Sequence, residues 1–287
     1  MEIIHTQSDL IHELSIARQA GRRIGLVPTM GALHEGHLSL IEAISEHCDC
    51  VVVSVFVNPL QFGPNEDYSK YPRVHEADAR LAEEQDVDFL FIPEVAEMYT
   101  AGSQTRVTVG ELSTRLCGKS RPGHFDGVTT VVAKLFNIVQ PHVAAFGEKD
   151  RQQLIIIKRM VEDLNIPVEI LAVPTCREAD GLAMSSRNAY LSSEERSEAT
   201  RLVGALTHME AMINTGESHA PLVTEAGRQL ITAYTGARLD YLEIVNPVTL
   251  ASIDELIPGT DVLLAGAAWF GSTRLIDNRM VKVPIFS

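Results

Sequence analysis

Continuous hydrophobic runs, each closed by proline, glycine or an Asn-Pro pair, recur through the first 175 residues of the chain. They predict five strands, at residues 23–27, 51–57, 89–92, 142–146 and 168–173. Runs of this length without a polar face are typical of strands that are buried on both faces of a parallel sheet.

Helical patterns separate these runs. Apolar residues recur at three- and four-residue spacing over residues 37–46 and 152–164, and helices are also predicted over residues 74–84 and 128–139. Alternation of strands and helices favours a doubly wound α/β domain. In such a sheet, ligands bind beyond the carboxyl ends of the strands.

The pattern changes after Pro174. The sequence Ser-Ser-Glu-Glu that begins at Ser192 predicts a helix start, with a serine cap before two acids. Helical patterns follow to about Gly216 and occur again over residues 222–235. Strands are then predicted at residues 239–245, 262–270 and 273–277. We therefore expect two domains, residues 1–175 and a smaller α+β domain of residues 176–287.

Charge and composition narrow the possible partners. The chain has 38 acidic residues against 24 Lys and Arg, a net charge of −14. Broad nucleic-acid or anionic-membrane binding needs a large positive face, so neither is expected.

Cys48 and Cys50 form a C-x-C pair, which is neither a redox C-x-x-C motif nor half of a zinc site. With no signal peptide or membrane-length apolar run in the sequence, we expect a cytoplasmic protein with reduced thiols.

The segment P-T-M-G-A-L-H-E-G-H, residues 28–37, lies where the first predicted strand meets the first predicted helix. Gly31 and Gly36 permit a tight turn, and a helix start attracts anions. His34 and His37 can both face a phosphate and donate hydrogen bonds as charge develops on it. The segment is not a Walker loop, a G-x-G-x-x-G turn or an H-E-x-x-H motif. Two histidines at a helix start also arise by chance, but this position at a strand end favours the functional interpretation.

The H-x-G-H spacing on this turn resembles the signature of the nucleotidylyl-transferase superfamily, which is shared with class I aminoacyl-tRNA synthetases. Members of that superfamily attack the α-phosphate of a nucleoside triphosphate and release pyrophosphate. The motif by itself identifies this chemistry and no particular substrate.

Two further loops carry polar groups. Asn58 and Gln61 follow the second predicted strand and offer neutral donors and acceptors, although Asn-Pro also commonly starts a simple turn. Arg121 and His124, in a glycine-punctuated loop, can reach a phosphate, although an isolated arginine is usually a solvated surface residue.

The segment after the fourth predicted strand is G-E-K-D-R-Q-Q. Gly147 allows close approach of the chain, and Lys149 supplies a point charge for phosphate oxygens. Asp150 suits a helix cap or ribose hydroxyls, and Gln153 lies at four-residue spacing from Lys149, on the same face of a helix.

Near the domain boundary, residues 185–187 (Ser-Ser-Arg) form a candidate phosphate clamp, similar to the mobile K-M-S-K-S loop of class I synthetases. The alternative is an interdomain linker that is polar by chance.

Taken together, the motifs resemble the pantothenate synthetase family of pantoate–β-alanine ligases. They are P-T-M-G-A-L-H-E-G-H, F-V-N-P-L-Q-F, Y-P-R, R-P-G-H-F-x-G-V, G-E-K-D-x-Q-Q and S-S-R-N, and they occur in that family's order over residues 28–188. The resemblance implies a Rossmann-like catalytic domain and a small C-terminal lid. It also implies a homodimer that joins (R)-pantoate to β-alanine through pantoyl adenylate, with ATP as substrate and Mg²⁺ as cofactor.

The resemblance also implies roles for individual residues. His37, His34 and Lys149 are implied as catalytic, Gln61 and Gln153 as pantoate-binding, Asn58 and Gln61 as β-alanine-binding, and Asp78 as a magnesium ligand. The implied ATP-binding residues are Met30, Gly31, Ala32, Leu33, His34, Glu35, Gly36, His37, Gly147, Glu148, Lys149, Asp150, Cys176, Met184, Ser185, Ser186 and Arg187. At position 77, where family members often carry a second acid, this chain has Ala77.

Three other interpretations stay open at this point. A nucleotidylyl transferase that builds a dinucleotide has the same histidines, but gives Gln61 and Gln153 no evident purpose. A tRNA-binding synthetase paralogue predicts a basic face, which the charge of −14 opposes. A non-catalytic nucleotide-binding module is expected to lack the histidines or the lysine.

Overall fold

The structure is a computed structural model that describes residues 1–64 and 66–286. The chain divides into two compact units. The first unit comprises Met1–Ser113, Arg121–Glu148 and Gln153–Thr175. The second comprises Thr114–Ser120, Lys149–Gln152 and Cys176–Ser287. Two short segments that precede residue 175 therefore group with the C-terminal part of the chain.

The first unit contains a six-stranded parallel sheet, as the hydrophobic runs predicted for its central strands. Its strands are β1 Glu2–Ile4, β2 Ile24–Thr29, β3 Cys50–Val55, β4 Phe89–Phe91, β5 Val143–Gly147 and β6 Glu169–Val173. Their order across the sheet is β1-β4-β3-β2-β5-β6. The chain adds β3 and β4 on one side of β2 and then returns to add β5 on the other side. The carboxyl end of β2 is thus the topological switch point, where ligands bind in sheets of this class.

Seven helices occur in the described residues before β6. They are α1 Gln7–Gln19, α2 Glu35–Ser45, α3 His75–Glu84, α4 Val95–Met98, α5 Cys117–Ser120, α6 His124–Val139 and α7 Arg151–Asp163. Helix α6 begins four residues before its predicted start because Gly123, at φ 80°, provides the turn into the helix. The edge strand β1 was not predicted, since three residues give too short a pattern to read, and the 13-residue helix α1 was not predicted either.

One face of the sheet packs against α2 and α3. The buried residues of that core include Val27, Ile41, Val53, Leu90 and Ala145, of which Val27, Ile41, Val53 and Leu90 have no exposed surface. Burial of such side chains contributes about 1.5–3 kcal/mol each to the free energy of unfolding. The core therefore fixes the strand ends from which the candidate site residues extend.

The second unit is a three-stranded antiparallel sheet with helices. Its elements are α8 Ser193–Glu198, α9 Thr200–Asn214, α10 Ala220–Thr232, β7 Ala237–Val245, β8 Asp261–Phe270 and β9 Thr273–Lys282. The strand order is β7-β8-β9. The capping box predicted at Ser192 is present, with Glu195 as its second member.

Strand β9 continues five residues beyond its predicted end at Asp277. Asp277 is 4% exposed, and its carboxylate accepts two hydrogen bonds from Arg177, at 2.8 and 2.9 Å. The prediction ended the strand at this acid, but the ion pair keeps the acid inside the strand.

Among the helices of residues 1–64 and 66–286, none combines the length and the apolarity that a membrane crossing requires.

Candidate active site

The turn between β2 and α2, residues 30–34, has a backbone that is fixed at three consecutive N–H groups. Gly31 donates to Thr29 Oγ1 at 3.1 Å. Ala32 and Leu33 donate to the two carboxylate oxygens of Asp78, at 3.1 and 2.7 Å. Gly31 and Ala32 both have positive φ, 82° and 50°, as a reversal this tight requires. The sequence indicated a tight turn, which is present, but these three amides point to protein groups rather than outward.

The two histidines of the motif lie together. The rings of His34 and His37 have centroids 4.2 Å apart and are tilted by 40°. His34 caps helix α2: its Nδ1 accepts the N–H of Gly36 at 3.1 Å. Because a backbone N–H only donates, Nδ1 is the acceptor in this contact and the ring hydrogen of neutral His34 is on Nε2. Both rings are partly exposed, so the pair can offer hydrogen-bond donors to an anion.

Asp78, in the first turn of α3, is the residue that the family resemblance offers as a magnesium ligand. Only 1% of it is exposed, and both of its oxygens accept backbone N–H groups of the β2–α2 turn. Burial raises the pKa of its carboxyl, and the hydrogen bonds from Leu33 and Ala32 oppose that rise. Across residues 1–64 and 66–286, no group of three or more His, Cys, Asp or Glu side chains is arranged to hold a metal ion. This environment does not fit a hydrated magnesium ion, which needs room for its retained waters.

The loop after β3, residues 58–62, is organised by the side chain of Asn58. Its Oδ1 accepts from Leu60 N at 3.3 Å and from the Tyr99 hydroxyl at 2.9 Å. Its Nδ2 donates to the Gly127 carbonyl and to Gln61 Oε1, both at 3.0 Å. Asn58 is 1% exposed, so the side chain that was expected near β-alanine has its hydrogen-bonding capacity committed inside the protein.

These contacts determine which end of the Gln61 amide is presented. Leu60 N–H only donates and the Gly127 carbonyl only accepts, so the Asn58 amide has a single orientation that satisfies both. Gln61 Oε1 therefore faces Asn58, and its Nε2 points to Met30 Sδ, 3.0 Å away. Because a thioether is a weak acceptor, Gln61 retains an NH₂ donor for a ligand.

A close backbone approach at Gly127 and a hydrogen bond from Tyr99 support this loop. A Cβ atom at Gly127 would lie 2.3 Å from the Leu60 carbonyl oxygen, so only glycine lets α6 approach so closely. Burial raises the pKa of Tyr99 to about 12, and its hydroxyl remains a donor to Asn58 at neutral pH. Tyr99 was missed by the sequence analysis because it is separated by 41 residues from the side chain it contacts.

Arg121 and His124, expected to reach a phosphate, also hold the loop after β3. Arg121 forms two hydrogen bonds to Glu66, at 2.6 and 2.5 Å. His124 Nδ1 lies 2.8 Å from the Gln61 carbonyl oxygen, and its Nε2 lies 3.1 Å from Arg121. Burial opposes ionisation of Glu66, but the hydrogen bonds and charge of Arg121 outweigh it, and the pKa of Glu66 is lowered.

The segment after β5 differs from its predicted form. Residues Glu148–Asp150 form a single 3₁₀ turn, and α7 begins only at Arg151. Lys149 therefore precedes the helix, and the four-residue helical spacing to Gln153 does not apply. Lys149 Nζ lies 3.7 Å from Asp150 Oδ2, and its carbonyl accepts from Asn278 Nδ2 at 2.8 Å. Gln153 is partly buried in the first turn of α7.

In the second unit, Cys176 and Met184 lie side by side. The Met184 N–H donates to the Cys176 carbonyl at 3.0 Å, and their sulfur atoms are 3.5 Å apart. Ser185 caps the 3₁₀ turn Ser186–Tyr190 by accepting from Arg187 N. Asn188 Nδ2 donates to Glu178 Oε1 at 2.8 Å. These contacts give the candidate phosphate clamp a defined local conformation.

The candidate residues divide between the two units. The first unit contains Met30, Gly31, Ala32, Leu33, His34, Glu35, Gly36, His37, Asn58, Gln61, Asp78, Gly147, Glu148 and Gln153. The second contains Lys149, Asp150, Cys176, Met184, Ser185, Ser186 and Arg187.

Comparison with known proteins identifies what the chain is similar to. The family model for pantoate–β-alanine ligase matches residues 2–280. A pantothenate synthetase of Moorella thermoacetica is 53% identical over 283 residues, covering 99% of each chain. The crystal structure of pantothenate synthetase from Thermus thermophilus has a TM-score of 0.91 at 48% identity, covering 99% of this chain and 100% of that one. A pantoate–β-alanine ligase from Francisella tularensis, described as complexed with β,γ ATP and β-alanine, has a TM-score of 0.77 at 35% identity, covering 98% of this chain and 97% of that one.

Proposed function

Since the chain belongs to the pantoate–β-alanine ligase family, we propose that it joins (R)-pantoate to β-alanine and converts ATP to AMP and pyrophosphate. The observation that carries the proposal is the pair of histidine rings, 4.2 Å apart, at the carboxyl end of β2. Donors at a strand end and helix start suit an anionic ligand. The ATP and β-alanine bound to the Francisella relative support the same choice of substrates here.

In the first step, a pantoate carboxylate oxygen attacks the α-phosphorus of ATP, and the bond to pyrophosphate breaks. His37 and His34 donate hydrogen bonds to phosphoryl oxygens as charge develops on them, and Lys149 neutralises phosphate charge. The remaining ATP contacts are assigned to the other residues of the β2–α2 turn, to Gly147, Glu148 and Asp150, and to Cys176 and Met184–Arg187. A carboxylate is a poor acyl donor, whereas the resulting mixed anhydride has AMP as a good leaving group.

Gln61 and Gln153 bind pantoate in this proposal. Gln61 presents its NH₂ group, and this suits the carboxylate or hydroxyl oxygens of pantoate, which accept hydrogen bonds. Asn58 acts on β-alanine only through Gln61, because 1% exposure leaves it no surface for a ligand.

In the second step, the β-alanine amine attacks the acyl carbon, the carbon–oxygen bond to AMP breaks, and the amide of pantothenate forms. An adenylate exposed to water would hydrolyse, so the C-terminal domain is assigned the role of a lid. Mg²⁺ would supply neutralisation of the phosphate charge of ATP, and no residue of the chain is assigned to hold it. We further propose a cytoplasmic homodimer with no nucleic-acid or membrane partner.

One assay tests the reaction. AMP and pyrophosphate are measured from ATP with pantoate, with and without β-alanine, and pantothenate is identified by mass. We expect stoichiometric pantothenate and AMP with both substrates, and at most one pyrophosphate per active site from pantoate alone. The absence of AMP with all three substrates present would contradict the proposal, and formation of a dinucleotide would favour a different nucleotidylyl transferase.

A further inference from the structure

We propose that Asp78 is a positioning residue that holds the β2–α2 turn in its ligand-binding conformation, and that it does not bind magnesium. The proposal rests on the proposed function, since it assigns a task to the turn that carries His34 and His37. Its main observation is the double contact between one buried carboxylate and two consecutive backbone N–H groups.

The contact gives each oxygen of the carboxylate one backbone N–H partner. Asp78 Oδ1 accepts from Leu33 at 2.7 Å, and Oδ2 accepts from Ala32 at 3.1 Å. On the far side, a Cβ atom at Gly31 would lie only 2.9 Å from Oδ2. The turn therefore wraps closely around the carboxylate, and 1% exposure leaves no room for an ion with its water.

The turn needs this anchor because its backbone is strained. Ala32 has φ 50°, a left-handed conformation that is unfavourable for a residue with a Cβ atom, and it follows Gly31 at φ 82°. The N–H groups of Ala32 and Leu33 point towards α3 and have to be satisfied there. Immediately beyond them, His34 caps α2. A shift of the turn would thus move the first histidine of the pair directly.

The substitution Asp78→Asn tests this arrangement with little change in volume. An amide has one acceptor oxygen, so its NH₂ group faces one of the two backbone N–H groups and leaves it unsatisfied. We expect the affinity for ATP to fall about tenfold, as for the loss of a hydrogen bond to a charged group, and to fall equally in EDTA and in Mg²⁺. The Mg²⁺ concentration for half-maximal rate and the KM for β-alanine are expected to stay within twofold.

Asp88→Asn is the matched control. Asp88 is a less deeply buried carboxylate that likewise accepts a backbone N–H, from Val51 at 2.8 Å, but it lies at the amino ends of the strands. Its substitution is expected to lower the melting temperature and to leave ATP affinity within twofold. Equal losses of ATP affinity in both variants would show that Asp78 contributes only to the general stability of the fold. An unchanged ATP affinity in EDTA with a raised Mg²⁺ requirement would assign Asp78 to the metal.

A second pair of variants approaches the same contact from the other side. In Gly31→Ala the added methyl group points to Asp78 and to Val55 Cγ1, at 2.9 and 2.8 Å, and displaces the carboxylate without removing it. Gly21→Ala has a similar positive φ, 73°, with nothing within 4 Å of the new atom. Only Gly31→Ala is expected to lower ATP affinity, and an effect of the same size in Gly21→Ala would overturn the proposal.

Hydrogen exchange in the unsubstituted protein keeps the test decisive if Asp78→Asn does not fold. The amide protons of Ala32 and Leu33 are expected to exchange slowly in EDTA, without nucleotide, and at an unchanged rate when Mg²⁺ alone is added. Rapid exchange in EDTA, or protection only with Mg²⁺, would overturn the proposal. These exchange measurements require no ligase activity. They therefore distinguish a wrong role for Asp78 from a wrong proposed reaction.

Discussion

The β2–α2 turn and the loop after β3 leave neighbouring strands of the same sheet, and different chemical groups hold them in place. In the turn, a buried carboxylate and a threonine hydroxyl fix three backbone N–H groups. In the loop, a buried amide fixes another amide, and an Arg–Glu pair lies beside them.

The difference matches what the proposed function requires of each segment. The turn has to present two rings at the start of a helix, so its backbone path has to be constant. The loop has to present one end of a glutamine amide and not the other, so the orientation of a side chain has to be constant. A carboxylate only accepts hydrogen bonds and would turn the glutamine NH₂ group inward, whereas the fully bonded asparagine donates to the glutamine oxygen and leaves that NH₂ group facing outward.

The largest expected effect is at the turn, in His37→Ala. Adenylate formation is expected to slow by about 10²–10⁴, the range for removing a positioned acid/base or a donor to developing charge. Single-turnover quench experiments measure the rate directly. His47→Ala, an exposed histidine just beyond α2, is the control and is expected to leave the rate unchanged. A decrease of less than threefold in His37→Ala would remove His37 from the mechanism.

A smaller effect is expected from reversing the amide order in the loop. In Asn58→Asp, an oxygen replaces the Nδ2 that donates to Gln61 Oε1, so Gln61 turns its NH₂ group inward and presents an acceptor. The KM for pantoate is expected to rise about tenfold or more, as for hydrogen bonds lost to a charged group, while the KM for ATP changes little. Steady-state kinetics with each substrate varied in turn measure the two constants.

Two further variants make this prediction decisive. Gln61→Glu keeps an acceptor towards Asn58 and presents a carboxylate oxygen, so it is expected to raise the KM for pantoate without altering the buried Asn58. Asn137→Asp, on the exposed face of α6, is the control for the chemical change alone. If both loop variants keep the KM for pantoate within twofold of the unsubstituted protein, the assigned orientation of Gln61 is wrong.

The smallest expected effect concerns the ion pair beside the loop. The pKa of Glu66 is lowered in the folded protein, so its pairing with Arg121 contributes stability that is present above the unfolded value, near pH 4.5. That contribution is lost as the pH falls through the lower, folded pKa. Glu66→Gln is therefore expected to reduce the free energy of unfolding by about 1.5 kcal/mol at pH 7, with the difference narrowing below about pH 4.5.

Denaturant unfolding at pH 7, 5 and 4 measures this dependence. Arg159, whose partners Glu162 and Asp163 are exposed, supplies the comparison pair, and Glu162→Gln is expected to change stability by less than about 0.5 kcal/mol. A difference between Glu66→Gln and the unsubstituted protein that grows towards acid would contradict the assigned sign.

The sequence predicted the sheet because its central strands β3, β4 and β5 are buried on both faces. The run that includes Val51 and Val53 has no polar alternation, and this pattern follows from a parallel sheet covered on both sides. The three-residue edge strand β1 left no such signal and was missed, as was helix α1. The end of β9 was also missed, since the partner that keeps Asp277 in a strand is Arg177, 100 residues away.

The sequence also indicated the reaction type and the candidate residues for it. The H-x-G-H spacing at a strand end indicated a phosphate site, and the other motifs in order indicated the ligase family, which the comparisons confirmed. Local spacing is sufficient for this, because a strand end and a helix start place the intervening side chains at one edge of the sheet.

Only the tertiary structure decided how those residues are held. The family resemblance implied Asp78 as a magnesium ligand, and the residue types of Arg121 and His124 indicated phosphate contacts, because the sequence does not show the partners of these side chains. The fold gives each of them a protein partner 45 to 63 residues away, with Asp78 on Leu33 and His124 on the Gln61 carbonyl. A hydrogen bond between distant segments depends on the register of packed elements, and no local pattern of residues encodes that register.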